Sequence, residues 1–189
     1  FINFNKDNLL FLSLATSLPV IFLGGLIGLL GYDSFKSNLF IIGSACIIGG
    51  ILLDIADNKN KIKKTKKKIA FKDSIIVGIF QMLALVPGMS RSGTVITAMR
   101  FLGFNRELSI TFSLLTGIPV LFAACCFGAY QAISLEDLNL IKLFLIIAVS
   151  FLTAIMTIHF FFRWIEKFSF RVFSVYRVLL GILIFSYLM

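Results

Sequence analysis

Charge and histidine are scarce in this sequence. Only 14% of the 189 residues are Asp, Glu, Lys or Arg, against about a quarter in soluble domains. No hydrophilic region is long enough to form a separate soluble domain. The three cysteines lie in apolar runs without disulfide or metal-ligand spacing and are expected to be packing residues: Cys46, Cys125 and Cys126. The single histidine, His159, also lies in an apolar run and is expected to hydrogen-bond between helices. A soluble domain and a disulfide framework are therefore excluded.

Long apolar runs are abundant instead. Hydrophobic residues make up 59% of the chain, and its mean hydropathy is +0.99. Several runs reach the ~20 residues that cross a bilayer core of ~30 Å. The pattern predicts one all-α, polytopic membrane domain over residues 1–189, with spans at 8–30, 39–55, 107–130, 140–162 and 172–188.

The net charge of +9 invites a nucleic-acid interpretation, which the distribution of the charges excludes. Basic residues concentrate in the loop 59–72 and beside predicted helix ends, and no aromatic residues alternate with them as on a base-stacking surface. Orientation by the positive-inside rule explains this pattern. Contact of the loop lysines with anionic lipid headgroups is the alternative.

Residues 74–102 do not have the uninterrupted apolar pattern of a simple span. Two apolar arms, 75–86 and 95–102, flank a polar centre, and each arm is too short to cross alone at ~1.5 Å per residue. Pro87 lacks a backbone donor, and Gly88 and Gly93 relax the chain, so the helix should break here. The segment is either one broken span or a re-entrant hairpin.

The distribution of charged loops between the two sides of the membrane favours the hairpin. With the lysine-rich loop in the cytoplasm, a hairpin places Arg106 inside and the acidic pair Glu136 and Asp137 outside. It also places a later basic cluster inside: Arg163, Lys167 and Arg171. The similar stretches 13–20 and 113–120 then lie on helices that run in the same direction. The predicted organisation is two spans (1–56), a basic cytoplasmic loop (57–73), the re-entrant hairpin (74–102) and three further spans (103–189).

The polar centre has the composition of an anion site. A cationic Arg91 near mid-depth costs about 2.5–3.5 kcal/mol on insertion scales and needs protein, water or an anion beside it. Hydroxyls, flexible glycines and the start of the second helical arm surround it, and a helix N-terminus presents free N–H groups to an anion. The flanking candidates are Ser90, Ser92, Thr94, Gly88 and Gly93. A tight helix crossing would explain the small residues but leaves Arg91 unexplained.

One run of residues resembles a known family. The second signature motif of the undecaprenyl-pyrophosphate phosphatases, the proteins linked to bacitracin resistance, is similar to Gln81-Met-Leu-Ala-Leu-Val-Pro-Gly-Met-Ser-Arg-Ser-Gly-Thr94. The resemblance extends over the whole chain, including residues 113–119 and the segment 169–177. It implies two inverted halves, each a re-entrant hairpin followed by three spans. This chain matches the complete second half and two spans of the first, so we expect an N-terminal part to be missing.

The resemblance also implies an activity and roles for the residues. The expected reaction is hydrolysis of undecaprenyl pyrophosphate to the monophosphate in the bacterial cytoplasmic membrane, at a site open to the periplasm or cell exterior. Arg91 and Ser90 would be catalytic, and the substrate would also contact Ser92, Thr94, Gly88 and Gly93. A divalent cation, Mg²⁺ or Ca²⁺, would be held by the family's other motif, a Glu- and His-containing run that nothing here matches. This chain supplies no metal ligand of its own.

Alternatives to the enzyme remain open. A polyprenyl-phosphate transporter or flippase would also use a broken helix at mid-depth, and an incomplete chain could bind lipid without catalysis. The expected partners are the polyprenyl pyrophosphate and membrane lipids, with a homodimer left open. The acids Asp54, Asp57, Asp73 and Glu107 are expected at cytoplasmic helix ends, away from the site. A second intramembrane arginine, Arg177, is expected to snorkel to the interface as an anchor.

Overall fold

The computed structural model describes residues 6–30, 38–59, 68–132, 140–165 and 169–188. Within these ranges the regular structure is helical and contains no β-strand, which confirms the all-α prediction. The α-helices in chain order are α1 (Lys6–Leu29), α2 (Leu39–Lys59), α3 (Phe71–Gln81), α4 (Arg91–Phe101), α5 (Arg106–Ala132), α6 (Leu140–Ile165) and α7 (Arg171–Leu188).

Five of these helices are long and apolar enough to cross a membrane: α1, α2, α5, α6 and α7. They coincide with the five predicted spans, so the prediction of a polytopic membrane protein is confirmed. Pro19 and Pro119 lie inside α1 and α5, where the helix continues around each of them. The acidic pair Glu136 and Asp137 and the lysine run 63–67 lie outside the described residues.

Side-chain caps begin several of the helices. The Asn38 side chain accepts from the backbone N–H of Phe40 at 3.0 Å, and that of Asn105 accepts from Leu108 at 2.8 Å. At the start of α3, the Asp73 carboxylate accepts from the Ala70 N–H at 3.1 Å. Each cap satisfies a backbone donor that the first helical turn leaves without an acceptor.

Helices α3 and α4 form a hairpin that starts and finishes at one end of the bundle. Ile69, before α3, and Leu102, after α4, pack against the same core cluster as Leu9 near the start of α1. The Lys59 ammonium at the end of α2 lies 5.9 Å from the centre of the Phe101 ring at the end of α4. We call this end of the molecule, where Asp57, Arg100, Arg106 and Ser169 also meet, the basic end. The hairpin therefore returns to the side from which it began.

The predicted bounds of the basic loop were wrong. Residues 57–73 were expected to be loop, but α2 extends to Lys59, and α3 begins at Phe71. Buried contacts of Asp57 hold the last turn of α2, and the Asp73 cap starts α3 early. The helix of the second arm was expected to begin at the polar centre, and α4 does begin there, at Arg91, because Ser90 caps it. The polar residues that follow Ser90 are therefore helical.

Two helix pairs build the frame around the hairpin. Helices α1 and α5 run in the same direction, since Leu12 packs with Leu108 near the basic end while the Ser17 hydroxyl donates to the Thr116 carbonyl at 3.0 Å farther along. Helices α2 and α7 run in opposite directions along a seam of small residues. A methyl group added at Gly181 would lie 2.7 Å from the Gly43 carbonyl oxygen, so the two backbones touch directly there.

Helix α6 lies outside this frame. In the range 141–160, every side chain is exposed except that of Ala148, which is half-buried. His159 is among the exposed residues, and no hydrogen bond joins it to another helix within the described part of the chain. Apolar side chains exposed in this way are suited to contact lipid.

Candidate anion-binding site at the hairpin tip

The hairpin tip is a tight turn shaped by glycine. A short 3-10 helix, Met82–Leu85, ends α3, and the Met89 N–H donates to the Val86 carbonyl at 3.0 Å. Gly88 has a φ of +90°, a conformation that L side chains rarely adopt, and a methyl group there would lie 2.5 Å from the Ile42 carbonyl oxygen on α2. Position 88 therefore requires glycine for two reasons: its positive φ and the close approach of its backbone to α2.

We predict that Gly88→Ala destabilises the fold more than Gly103→Ala. Gly103 has a similar φ of +95° but open space around it, so its replacement costs only the backbone penalty of about 1–2 kcal/mol. Gly88→Ala adds a clash with backbone, worth at least about 1 kcal/mol more. Denaturant titration of both variants in mixed micelles measures the difference. Equal losses would show that the tip does not press against α2.

The first turn of α4 presents several donors together. The Ser90 hydroxyl accepts from the Gly93 N–H at 3.1 Å and lies 3.2 Å from the Ser92 hydroxyl. By helix geometry, the N–H groups of Arg91 and Ser92 have no acceptor within the helix. Two hydroxyls and two backbone donors therefore lie at the positive end of a helix dipole, where an anion is stabilised.

Arg91 lies beside this turn against helix α5. Its guanidinium sits over Gly117, where an added methyl group would lie 2.6 Å from Nη2. The Nη1 atom is buried and has no hydrogen-bond partner in the described part of the chain. Leaving a charged donor unsatisfied is costly in a low-dielectric interior, so an anionic acceptor is the natural partner of this atom.

The remaining candidates are arranged differently. The Thr94 hydroxyl donates to the Arg91 carbonyl at 2.7 Å, and its side chain lines a small cavity on the side of α4 that faces Arg177. The Gly93 N–H is occupied by Ser90. The Gly88 carbonyl faces α2 and α7. The structure thus brings the Ser90 and Ser92 hydroxyls together, while the Arg91 guanidinium lies against α5. Thr94, Gly88 and Gly93 lie toward Arg177.

Arg177 does not snorkel to the interface, so that expectation was wrong. Its side chain is 9% exposed, and its Nη2 atom donates to the carbonyls of Gly88 at 3.0 Å and Ala45 at 3.3 Å. The guanidinium turns to these carbonyls instead of the interface, because Gly49 and Gly93 leave room for it. An arginine inside a predicted span is itself a signal of function. That signal could have singled out Arg177 as part of the candidate site.

The tip lies deep in the bundle, beyond its middle. It contacts α2 at Cys46, which lies roughly 20 Å along the helix from Lys59 and roughly 10 Å from Leu39, at about 1.5 Å per residue. The hairpin thus starts at the basic end but delivers its polar tip nearer to the opposite end.

A buried ion-pair cluster at the basic end was not predicted. Asp57, only 1% exposed, bonds Arg100 at 3.0 Å and both the Nε and Nη2 atoms of Arg106 at 3.0 and 2.7 Å. The Ser169 hydroxyl donates to the same carboxylate at 3.0 Å. Asp57 was assigned to a loop, and nothing in the linear sequence joins residues 57, 100, 106 and 169. The cluster ties the end of α4 and the start of α5 to the last turn of α2.

Metal ligands are not grouped in the described part of the chain. No three His, Cys, Asp or Glu side chains there lie close enough to hold an ion. The deeply buried carboxylate of Asp57 is neutralised by two arginines at the basic end, and the tip presents cationic and hydroxyl groups. These residues do not fit a divalent cation.

Comparison with known proteins decides the family. The model of the family described as bacitracin resistance protein BacA matches residues 3–183. The chain belongs to the BacA family. Three relatives named undecaprenyl-diphosphatase are 41% identical over 167 residues (Leptospira interrogans), 38% over 183 (Pelagibacter ubique) and 40% over 169 (Marinobacter nauticus). This BacA chain is covered to 86%, 96% and 87%, and spans 60%, 71% and 64% of the respective relatives.

Proposed function

We propose that this BacA-family chain acts in the hydrolysis of undecaprenyl pyrophosphate to undecaprenyl phosphate and inorganic phosphate. The observation that carries the proposal is the buried, unpartnered Nη1 of Arg91 beside the first turn of α4. The names of the relatives agree with it. The reaction would recycle the lipid carrier of cell-wall synthesis in the bacterial cytoplasmic membrane and so confer bacitracin resistance.

The tip residues have separate tasks in this proposal. Arg91 binds the pyrophosphate and stabilises the charge that develops on the phosphoryl oxygens in the transition state. Ser90, held in place as the cap of α4, and Ser92 orient phosphate oxygens through their hydroxyls, and the free N–H groups of the first turn donate to the same oxygens. Thr94, Gly88 and Gly93 support the tip from behind.

The depth of the tip suits a substrate held in lipid. By the positive-inside rule the basic end is cytoplasmic, so the tip lies nearer the outer leaflet. The polyprenyl tail would lie along apolar helix faces while its pyrophosphate reaches the tip. A homodimer stays open in this proposal.

A divalent cation, Mg²⁺ or Ca²⁺, remains part of the proposal without ligands among the described residues. It would offset the negative charge of the pyrophosphate. The described residues therefore bind and orient the substrate, and the attack on phosphorus is not assigned to any of them.

Phosphate release by the full-length protein tests the proposal. We expect purified protein in detergent to release inorganic phosphate from undecaprenyl pyrophosphate and to leave the monophosphate, identified by mass spectrometry. A transporter would move a polyprenyl phosphate across a liposome membrane without cleaving it. Folded protein that moves the lipid and releases no phosphate would therefore refute hydrolysis and favour transport.

A further inference from the structure

Arg177 is a buried cation held by carbonyl groups. Its side chain is 9% exposed, and among the described residues no carboxylate forms an ion pair with it. Its Nη2 atom reaches the Ala45 carbonyl on α2 and the Gly88 carbonyl at the tip. One side chain of α7 thus joins a spanning helix to the hairpin.

The surroundings of Arg177 are built to admit its guanidinium. A methyl group added at Gly49 would lie 2.5 Å from Nη2, and one added at Gly93 would lie 3.1 Å from Nη1. The two glycines come from α2 and α4 and flank the group. Any other residue at position 49 would displace the guanidinium from the carbonyls it holds.

The Gly88 carbonyl is the group whose direction matters. It accepts from Arg177 at 3.0 Å and lies 3.4 Å from the Cys46 sulfur, so both donors approach it from the protein side. A carbonyl oxygen turned toward a bound phosphate would repel it. Holding this oxygen back fixes the peptide plane two residues before Ser90, the cap of α4.

We propose that Arg177 is the positioning residue of the hairpin tip, holding the Gly88 carbonyl so that Ser90, Ser92 and the first turn of α4 face the pyrophosphate. Its effect on kinetics rests on the proposed function, but its effect on the tip does not. The two parts are therefore tested by separate measurements.

Labelling of the Cys46 thiol measures the opening of the tip and does not depend on enzyme activity. It is 5% exposed and sits under the Gly88 carbonyl, whereas Cys125 and Cys126 are exposed and can be replaced by serine. We expect N-ethylmaleimide to label Cys46 in the full-length protein at least about tenfold faster after Arg177→Gln or Gly49→Ala, because the tip opens locally. The matched controls are Arg171→Gln, which removes an exposed charge from the same helix, and Gly25→Ala, which meets nothing within 4 Å. Both controls should leave the rate unchanged.

A second reporter separates local opening from unfolding. Ala98 lies in the core of α4 and is 2% exposed. In a variant carrying Ala98→Cys and Cys46→Ser, we expect slow labelling whether or not Arg177 is replaced. Faster labelling at both reporters, or no acceleration at Cys46, would overturn the positioning role.

The Michaelis constant tests the link to the substrate, since it does not depend on the fraction of protein that is folded. Arg177→Gln should raise KM for undecaprenyl pyrophosphate at least about fivefold, and Arg177→Lys should recover part of the loss because an ammonium still reaches one carbonyl. If the tip opened and KM stayed unchanged, Arg177 would have no role in positioning the tip for the substrate. Absence of phosphate release by the wild type would refute the proposed function alone, while Cys46 labelling still decides the role at the tip.

Discussion

Replacing Arg91 by alanine is expected to lower kcat/KM for undecaprenyl pyrophosphate at least about a hundredfold in the full-length protein. This corresponds to about 2.7 kcal/mol of lost transition-state stabilisation. The physical reason is the loss of a charged donor, Nη1, that is buried and meets no acceptor in the described part of the chain. Arg91→Lys should recover little, because an ammonium cannot present two donors in one plane.

The stability of the same variant distinguishes a functional from a structural role. The Nη1 atom forms no stabilising hydrogen bond within the described part of the chain. Arg91→Ala should therefore leave the free energy of unfolding unchanged or raise it. Arg171→Ala is the matched control, since Arg171 is 66% exposed and pairs with Asp54 at 3.4 Å. Similar kcat/KM values for Arg91→Ala and this control would remove Arg91 from the site.

Replacing Asp57 by asparagine is expected to destabilise the fold by about 3–5 kcal/mol. The change leaves the guanidinium groups of Arg100 and Arg106 without their shared carboxylate, and a buried charge that loses its partner is strongly unfavourable. Titration with a denaturing detergent in mixed micelles, followed by the loss of helical signal, measures the change.

Asp54→Asn provides the control for Asp57 on the same helix. Asp54 is 33% exposed, and exposed ion pairs contribute about 0–1 kcal/mol. Replacing it should therefore have little effect. If both variants lost the same stability, the Asp57 cluster would not be the anchor of the basic end.

Local chemistry made much of the fold predictable from the sequence. Each of three features depends only on neighbouring residues. They are the five long apolar runs, the helix break at Pro87 and Gly88, and the charged loops from which orientation was predicted. The common direction of α1 and α5 followed from charge parity, and the contact of Ser17 with Thr116 agrees with it. The helix ends were less predictable, because Asp57 stabilises its turn through residues far along the chain.

The support of the candidate site could not be predicted in the same way. Ser90, Arg91 and Ser92 are adjacent in sequence, so their grouping needed only a helix start. The support by Arg177 joins residues 45, 88 and 177, which lie on three separate elements. Snorkelling was expected because the interface is close along α7, but the carbonyls of Ala45 and Gly88 are closer in space.

The depth of the tip bears on two expectations, the side from which the hairpin enters and the side from which substrate approaches. The charge pattern brings the hairpin in from the cytoplasm, whereas the family resemblance implies a site open to the other side. The tip contacts α2 at Cys46, roughly 20 Å from the basic end at about 1.5 Å per residue, so the two expectations are compatible. A re-entrant hairpin that passes mid-depth can start on one side and serve a substrate approaching from the other.

The central claim is that the hairpin tip binds the pyrophosphate, and a structure of the full-length protein with a non-hydrolysable polyprenyl pyrophosphate analogue tests it most directly. We expect phosphate oxygens at hydrogen-bond distance, about 3 Å, from Arg91 Nη1 and from the N–H groups of the first turn of α4. Pyrophosphate bound elsewhere, with Arg91 Nη1 still without an acceptor, would contradict the account.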